Sequence, residues 1–238
     1  MKVIEAYWEK RNLGIETVEI ECEEPDTLQQ LKEGLAQLKT QYAVVKIPVE
    51  RSDLSEYVQQ MGYVYVEDLM EMIHDLHEAN RSKLHQRLYD ATTYRRMNEQ
   101  DIKQLDDEIA GGMFDSDRIS KDAQFGAEQS AKRYRNWVAD LLGKGALPYV
   151  ILYKEEPAGF IILQTKDDKN YDSVLGGGYA KFRNSGLGII QKEQEIVKKL
   201  GGRKVTTHVS TNNPSQVKAL CMNGYLPGKI RHVFVKHF

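Results

Sequence analysis

The stretch from residue 172 to residue 200 constrains the fold of this chain most strongly. A glycine-rich strand pattern (172–182) runs into Arg183-Asn-Ser-Gly186-Leu-Gly188, and an apolar helical pattern (187–200) follows. Glycine costs about 1 kcal/mol relative to alanine inside a helix, so two glycines at a helix start indicate a need for bare backbone. The N–H groups of a helix N-terminus suit a pyrophosphate, and Arg183 can add a charged contact. A plain strand–helix turn is the alternative interpretation, and the motif by itself does not decide between them.

Two better-known phosphate-binding motifs do not fit this stretch. A Walker A loop ends in Gly-Lys-Ser/Thr, whereas Gly188 is followed by two isoleucines. A dinucleotide-binding fingerprint needs three glycines and an acidic residue at the end of the next strand, whereas the strand pattern 204–210 ends in serine. These two classes of nucleotide site are therefore excluded here.

Composition sets broad limits on the function. The 238 residues are 41% hydrophobic and 29% charged, which is typical of a globular chain with one large or two small domains. A net charge of −2 gives no electrostatic reason to expect nucleic acid. We expect neither a secretion signal nor a membrane span, because no long apolar run occurs. Cys22 and Cys221 match no metal or redox spacing, so we expect free thiols, no metal site and a cytoplasmic location.

The first 80 residues predict a small unit with the order β-α-β-α-β. Its expected elements are a strand (16–22), a helix capped by Asp26 (25–39), a strand (42–49), a helix (53–63) and a strand (64–76). A polar connector (81–91) follows.

A second unit is predicted from residue 92 to residue 238. Its expected elements are a strand (92–97), a helix capped by Asn98, a second helix ending near Gly143, a hairpin (149–165), the strand 172–182, the helix 187–200, a strand (204–210), a helix (214–223) and a last strand (229–238). Asn213 is a good N-cap for the helix 214–223, and Gly224 ends it. The fold class is therefore mixed α/β (α+β).

The order of motifs after residue 182 resembles the GNAT acetyltransferase superfamily. Arg-x-x-Gly-x-Gly, a helix, a strand, Asn213, a second helix and Gly224-Tyr225 follow one another as they do in that superfamily. The resemblance covers residues 92–238. It implies a mixed central sheet of GNAT type, with the smaller β-α-β-α-β unit in front, and acetyl-CoA as co-substrate.

A closer resemblance concerns residues 112–142. This stretch is similar to the region around Phe-x-x-Asp-Pro-Arg and Tyr-x-x-Trp in dTDP-fucosamine acetyltransferase and related sugar N-acetyltransferases, although Ser116 precedes Asp117-Arg118 here. The first 80 residues also resemble the front half of those proteins. The likeness implies that Phe114, Asp117 and Arg118 bind the acceptor. The alternative is a solvated polar loop before a helix that Ser120 caps.

The resemblance assigns the co-substrate site residue by residue. The implied acetyl-CoA contacts are Gly178, Tyr179, Ala180, Arg183, Asn184, Ser185, Gly186, Leu187, Gly188 and Asn213. Tyr179 can equally be a packing residue, and Asn213 a pure helix cap. The tyrosine that the superfamily often uses is replaced by Leu220. Cys221 beside it points about 100° away on a helix, and we expect it to be a small buried residue. No general base stands out: Asp172 and Ser173 lie where some relatives keep an acid, and the six histidines form no motif.

These features together predict an N-acetyltransferase that transfers an acetyl group directly to a small primary amine, with a nucleotide-linked amino sugar as one candidate. A CoA-binding sensor or partner protein without turnover is the alternative. We expect a small-molecule acceptor, neither nucleic acid nor membrane as a partner, and a monomer or a homodimer. The acceptor would lie between the first unit, the loop 113–120 and the strand 172–182.

Overall fold

The computed structural model describes residues 1–77, 83–183 and 185–238. Its first part contains four strands and four helices. They are β1 (Lys2–Glu5), α1 (Tyr7–Leu13), β2 (Thr17–Glu21), α2 (Leu28–Ala36), β3 (Tyr42–Pro48), α3 (Ser52–Gln60), β4 (Val64–His74) and α4 (Lys83–Asp90). The five predicted elements of the first unit are present, and β1 and α1 precede them.

The second part has the predicted order of strands and helices. It consists of β5 (Thr92–Arg96), α5 (Glu99–Ala110), α6 (Arg118–Lys121), α7 (Ala127–Gly143), β6 (Leu147–Tyr153), β7 (Glu156–Thr165), β8 (Asn170–Gly178), α8 (Ile189–Lys199), β9 (Lys204–Ser210), α9 (Pro214–Met222) and β10 (Leu226–His237). Among the described residues, no helix is both long enough and apolar enough to span a bilayer.

One ten-stranded mixed sheet runs through both parts, in the order β1-β2-β3-β10-β4-β9-β8-β7-β6-β5. The pairs β2–β3 and β8–β9 are parallel, and the other neighbours are antiparallel. The predicted mixed α/β class is therefore confirmed. The last strand, β10, lies between β3 and β4, and β4 lies between β10 and β9, so the two predicted units interlock. Their division into separate domains stays a prediction.

Helices cover both faces of the second part of the sheet. On one face, α8 and α9 pack on a core that includes Tyr171, Val197, Val205 and Leu220. On the other face, α5 and α7 pack on a core that includes Phe160 and Leu175. We call these the α8 face and the α7 face.

Several predicted boundaries and caps were wrong. Thr27, and not Asp26, caps α2, because Asp26 accepts hydrogen bonds from the N-terminal amine and from the Glu23 N–H. Asp117, and not Ser120, caps the short helix α6. The strand predicted over 172–182 ends at Gly178, and a 3-10 turn (Ala180–Phe182) follows it. The connector predicted over 81–91 contains α4, and its first two residues lie outside the described residues.

Candidate functional site

The parallel strands β8 and β9 separate partway along their length. They pair only at three rungs, from Asn170–Lys204 to Asp172–Thr206. The Thr207 hydroxyl then donates to the Ser173 carbonyl over 2.8 Å. The other parallel pair, β2–β3, stays paired along all five residues of β2. The sheet therefore opens beyond Ser173, beside the start of α8.

The exposed edge of β8 in this split carries glycines. The Tyr179 N–H donates to the Ala158 carbonyl, and the register continues with Gly159–Gly178 and Ile161–Gly176. Antiparallel pairs alternate between bonded and non-bonded positions, so the N–H and C=O groups of Gly176 and Gly178 point away from β7, into the split. The register with β7 also shifts between Leu175 and Ser173. Such bulges re-aim backbone groups beside active sites.

The turn between β8 and α8 contains two glycines, and each is there for a different reason. Gly186 has a φ of +70°, a conformation that costs other residues about 1–2 kcal/mol. Gly188 lies immediately before α8, and a Cβ there would come within 2.4 Å of Gln191 Oε1, the end of a flexible side chain. The N-cap of α8 is Gly188, which has no side chain to cap the helix. The turn therefore presents backbone at a helix N-terminus.

The helix α4 buttresses this turn from one side. Leu88 lies 3.8 Å from the position that a Cβ on Gly186 would occupy, and Tyr89 lies 3.5 Å from that of Gly188. The Tyr89 hydroxyl donates to Glu195 in α8 over 2.5 Å. The ammonium of Lys192 lies 3.6 Å from the centre of the Tyr89 ring.

The other residues predicted to contact the co-substrate are spread around the split and the turn. The backbone N–H of Tyr179 pairs with β7, and its ring is buried against Phe160 on the α7 face. The N–H of Ala180 donates to Glu108 Oε2 over 2.9 Å, and Arg183 reaches the Met113 carbonyl at 3.4 Å. The Ser185 hydroxyl accepts from the Leu187 N–H. Asn184 lies outside the described residues. The role of each in binding stays a prediction.

Polar side chains line the split on the α7 face. Thr206 donates to Asp172 Oδ1 over 3.2 Å, and Lys166 donates to the Thr206 hydroxyl over 2.8 Å. Two residues further along β9, His208 is exposed and lies opposite Glu71 of β4. Side chains two apart on a strand share a face, so Thr206 and His208 project to the same side.

Comparison with known proteins gives a fold and no family. No protein-family model matches the chain, and no curated protein matches it. A GCN5-related N-acetyltransferase from Sphaerobacter thermophilus aligns with a TM-score of 0.67 at 12% identity, covering 99% of this chain and 75% of that one. A tandem GNAT protein from the clavulanic acid biosynthesis pathway aligns with a TM-score of 0.54 at 10% identity, covering 93% and 75%.

The chain has the GNAT fold. A third structure with this fold is a glucosamine N-acetyltransferase region of a fungal multi-domain GH3 β-N-acetylglucosaminidase. It aligns with a TM-score of 0.58 at 12% identity, covering 81% of this chain and 25% of that one.

On the α8 face, the Asn213 side chain accepts a hydrogen bond from the Gln216 N–H and so caps α9. This is the contact expected if Asn213 is a helix cap. Leu220 is 2% exposed and belongs to the core. Cys221 is exposed, so the expectation that it is a small buried residue was wrong. None of the three places a hydroxyl at the position of the superfamily tyrosine.

A buried polar network lies close to this position. Ser173 and Tyr225 both donate to the carboxylate of Glu193, which α8 points into the core. Burial raises the pKa of Glu193, and the two hydrogen bonds partly offset the rise. Burial, together with Glu193, raises the pKa of Tyr225. Sequence reasoning missed Glu193, because a lone acid in a helical pattern is usually solvated.

The loop predicted to bind the acceptor is tied down by the protein itself. Arg118 is buried and pairs with Glu19 at 2.8 Å and Glu9 at 3.3 Å, and Arg133 pairs with Glu9 at 2.7 Å. Asp117 caps α6 and accepts from Ser130. Phe114 stacks on Tyr134 with ring centres 4.1 Å apart. Protein contacts therefore account for all three predicted acceptor residues, and their part in acceptor binding stays a prediction.

This ion-pair cluster joins the first part of the chain to α6 and α7. Burial would raise the pKa of Glu19, but Arg118 and Lys46 outweigh it and lower the value to about 2. Glu67 of β4 lies near the cluster, is 6% exposed, and has an Oε2 atom without a hydrogen-bond partner among the described residues. Burial raises its pKa, and Ser210 and Arg118 limit the rise. Sequence reasoning missed Glu67 as well, because it sits in a strand pattern that does not reveal its neighbours.

Proposed function

We propose that the protein is an acetyl-CoA-dependent N-acetyltransferase that transfers the acetyl group directly to a small primary amine. The split between β8 and β9, beside the start of α8, carries this proposal. The inward-pointing backbone of Gly176 and Gly178 suits the amides of a pantetheine arm, which would continue the sheet. The turn at Gly186 and Gly188 suits a pyrophosphate at the N-terminus of α8.

The reaction needs a neutral amine whose nitrogen attacks the thioester carbonyl. The carbon–nitrogen bond forms, the carbon–sulfur bond breaks, and one amine proton ends on the CoA sulfur. A thiol pKa of about 8.5 makes the thiolate a good leaving group, so a tyrosine at position 220 is not essential. Direct transfer requires both substrates to be bound together, with the acceptor on the α7 face of the split.

A nucleotide-linked amino sugar is the acceptor that we propose to test first. The likeness of residues 112–142 to sugar N-acetyltransferases supports this choice. The fungal structure with the same fold is named as a glucosamine N-acetyltransferase region, and the activity of that protein is a second reason to test amino sugars. The position of the split also supports it. The split lies beside β9, which pairs with β4 of the first predicted unit, and ligand sites favour the junction of two units.

The test is an assay of acetyl transfer with a panel of amino sugars, nucleotide amino sugars, amino acids and polyamines. Released CoA can be followed with a thiol dye, but the exposed Cys221 would react too, so a Cys221→Ser variant provides the clean background. Transfer to one class of amine, with the acetylated product seen by mass spectrometry, would support the proposal. Absence of CoA binding by calorimetry, with no transfer, would refute it.

A CoA-binding protein without turnover is the alternative that the assay must separate from an enzyme, because Leu220 stands at the position of the tyrosine. Tight CoA binding without transfer to any amine would support this candidate. Leu220→Tyr adds a large polar ring where the core is filled, so its effect is read only after its melting temperature is known.

A further inference from the structure

His208 occupies a distinctive position in the split. The Thr207–Ser173 hydrogen bond is the last link between β9 and β8, so His208 is the first residue of β9 beyond it. Its side chain projects to the α7 face, about 6.6 Å along the strand from Thr206. An imidazole here would stand where the split opens, on the side opposite α8 and α9.

Two acidic and two basic side chains surround His208. The charged groups that act on it come from four neighbouring segments: Asp172 from β8, Glu71 from β4, Lys166 from the turn after β7, and Arg231 from β10. Lys166 lies 3.7 Å from Asp172 and bonds to Thr206. Among the described residues, His208 has no hydrogen-bond or ion-pair partner of its own. It is also exposed, so a ligand can reach it without any rearrangement of the core.

We propose that His208 is the catalytic base that takes the proton from the ammonium group of the acceptor. This inference rests on the proposed function and deepens it, since it makes the acceptor an amine that arrives as a cation. The ammonium gives one proton to a ring nitrogen of His208, which later releases it to water. The resulting amine attacks the thioester, the carbon–sulfur bond breaks, and the second amine proton passes to the CoA sulfur.

The charge state of His208 agrees with this role. Although the side chain is exposed, the protein around it still desolvates the imidazole and lowers its pKa below the usual 6.5. Lys166 and Arg231 add to this lowering, and Asp172 and Glu71 partly offset it. The imidazole is therefore neutral at pH 7 and can accept a proton. Asp172 and Glu71 can steer the ammonium toward it, and they stabilise the imidazolium once it forms.

The test uses the full-length chain and any amine that it acetylates. We expect His208→Gln to lower kcat by about 10²- to 10⁴-fold, with CoA affinity unchanged by calorimetry. In the unmodified protein, kcat should fall on the acidic side of its pH profile with a midpoint at or below the usual pKa of histidine. In the variant, this midpoint should move up toward the pKa of the bound amine. In His208→Ala, added imidazole should restore part of the rate, because the position of the His208 side chain is open to solvent.

His232→Gln is the matched control. This histidine lies on β10, pairs with Asp68 at 2.6 Å and faces the other side of the sheet, so its loss should leave the pH profile in place. An unchanged kcat in His208→Gln, or a loss that imidazole does not rescue and that leaves the acidic limb in place, would overturn the inference. Failure of the unmodified protein to acetylate any amine would instead refute the proposed function.

Discussion

Replacing Arg118 by methionine tests the buried cluster that joins the first part of the chain to α6 and α7. Arg118 pairs with Glu9 and Glu19, and both acids are almost fully buried. Breaking a buried ion pair from one side typically costs about 3–5 kcal/mol, because the other charge is left without its partner. Glu9 keeps Arg133 and Glu19 keeps Lys46, so we expect the lower end of this range.

The pKa of Glu19 gives a second route to the same magnitude. Its value falls from 4.5 to about 2, which corresponds to about 3 kcal/mol at neutral pH. Lys46 and Arg133 share in this lowering and remain in the variant, so about 3 kcal/mol is the most that the variant can lose through Glu19. A carboxyl whose pKa is lowered by folding stabilises the fold above its unfolded pKa and loses that contribution as the pH falls through the folded value. The difference between the two proteins should therefore shrink below about pH 4.5 and largely disappear near pH 2.

Thermal unfolding at pH 7 is the assay. For a chain of this size, about 3 kcal/mol lowers the melting temperature by roughly 6–12 °C. Arg11→Met is the matched control. Arg11 of α1 pairs with Asp140 of α7, the two helices that the Glu9–Arg133 pair of the cluster also joins, but both of its side chains are exposed. Exposed pairs contribute about 0–1 kcal/mol. If the two variants melt within about 2 °C of each other, burial of the Arg118 cluster does not have the effect that we assign to it.

Four further outcomes follow from the geometry. CoA at about 100 times its dissociation constant should add about 2.7 kcal/mol of stability, seen as a rise in melting temperature; an unchanged transition would argue against the site. Gly186→Val should abolish CoA binding, measured by calorimetry. It should also lower the melting temperature more than Gly188→Val, because Gly186 has a positive φ, whereas a side chain at Gly188 mainly displaces Gln191. Retained CoA affinity in both variants would show that the phosphate-binding turn lies elsewhere. Glu67→Gln should raise the melting temperature more at pH 8 than at pH 4.5, because a carboxyl with a raised pKa destabilises the fold once it ionises; an equal effect at both pH values would mean that Glu67 is not desolvated. A chain beginning at Thr92 should be inactive, since it lacks the strand between β9 and β10; a soluble, active product would contradict this.

The order of elements could be predicted from the sequence because each signal is local. The hydrophobic period, the Asn98 and Asn213 caps and the glycines that end helices act within a few residues, and the structure has the corresponding helices and strands. The prediction that Asp26 caps α2 was wrong because the Asp26 carboxylate pairs with the N-terminal amine, a partner distant in sequence. A local pattern carries no information about such a partner.

The site was only partly predictable for the same reason. The turn at Gly186 and Gly188 is contiguous and could be found, whereas the split depends on how far β8 stays paired with β9. His208, Glu67 and Glu193 are single polar residues in ordinary strand or helix patterns. They become candidates only because strands distant in sequence bring them to the split or bury them beside it.

The insertion of β10 between β3 and β4 imposes an order of events on biosynthesis. The partner of Tyr42 in β10 is His237, which lies in the opposite half of the sequence. While the ribosome is still making the second half, β3 and β4 have no strand between them, and each exposes an unpaired edge. Contacts so far apart in sequence form slowly, and open strand edges promote aggregation. The first half therefore cannot complete its own sheet until the twelve residues of β10 have left the ribosomal exit tunnel, and until then the facing edges of β3 and β4 stay open to wrong pairing.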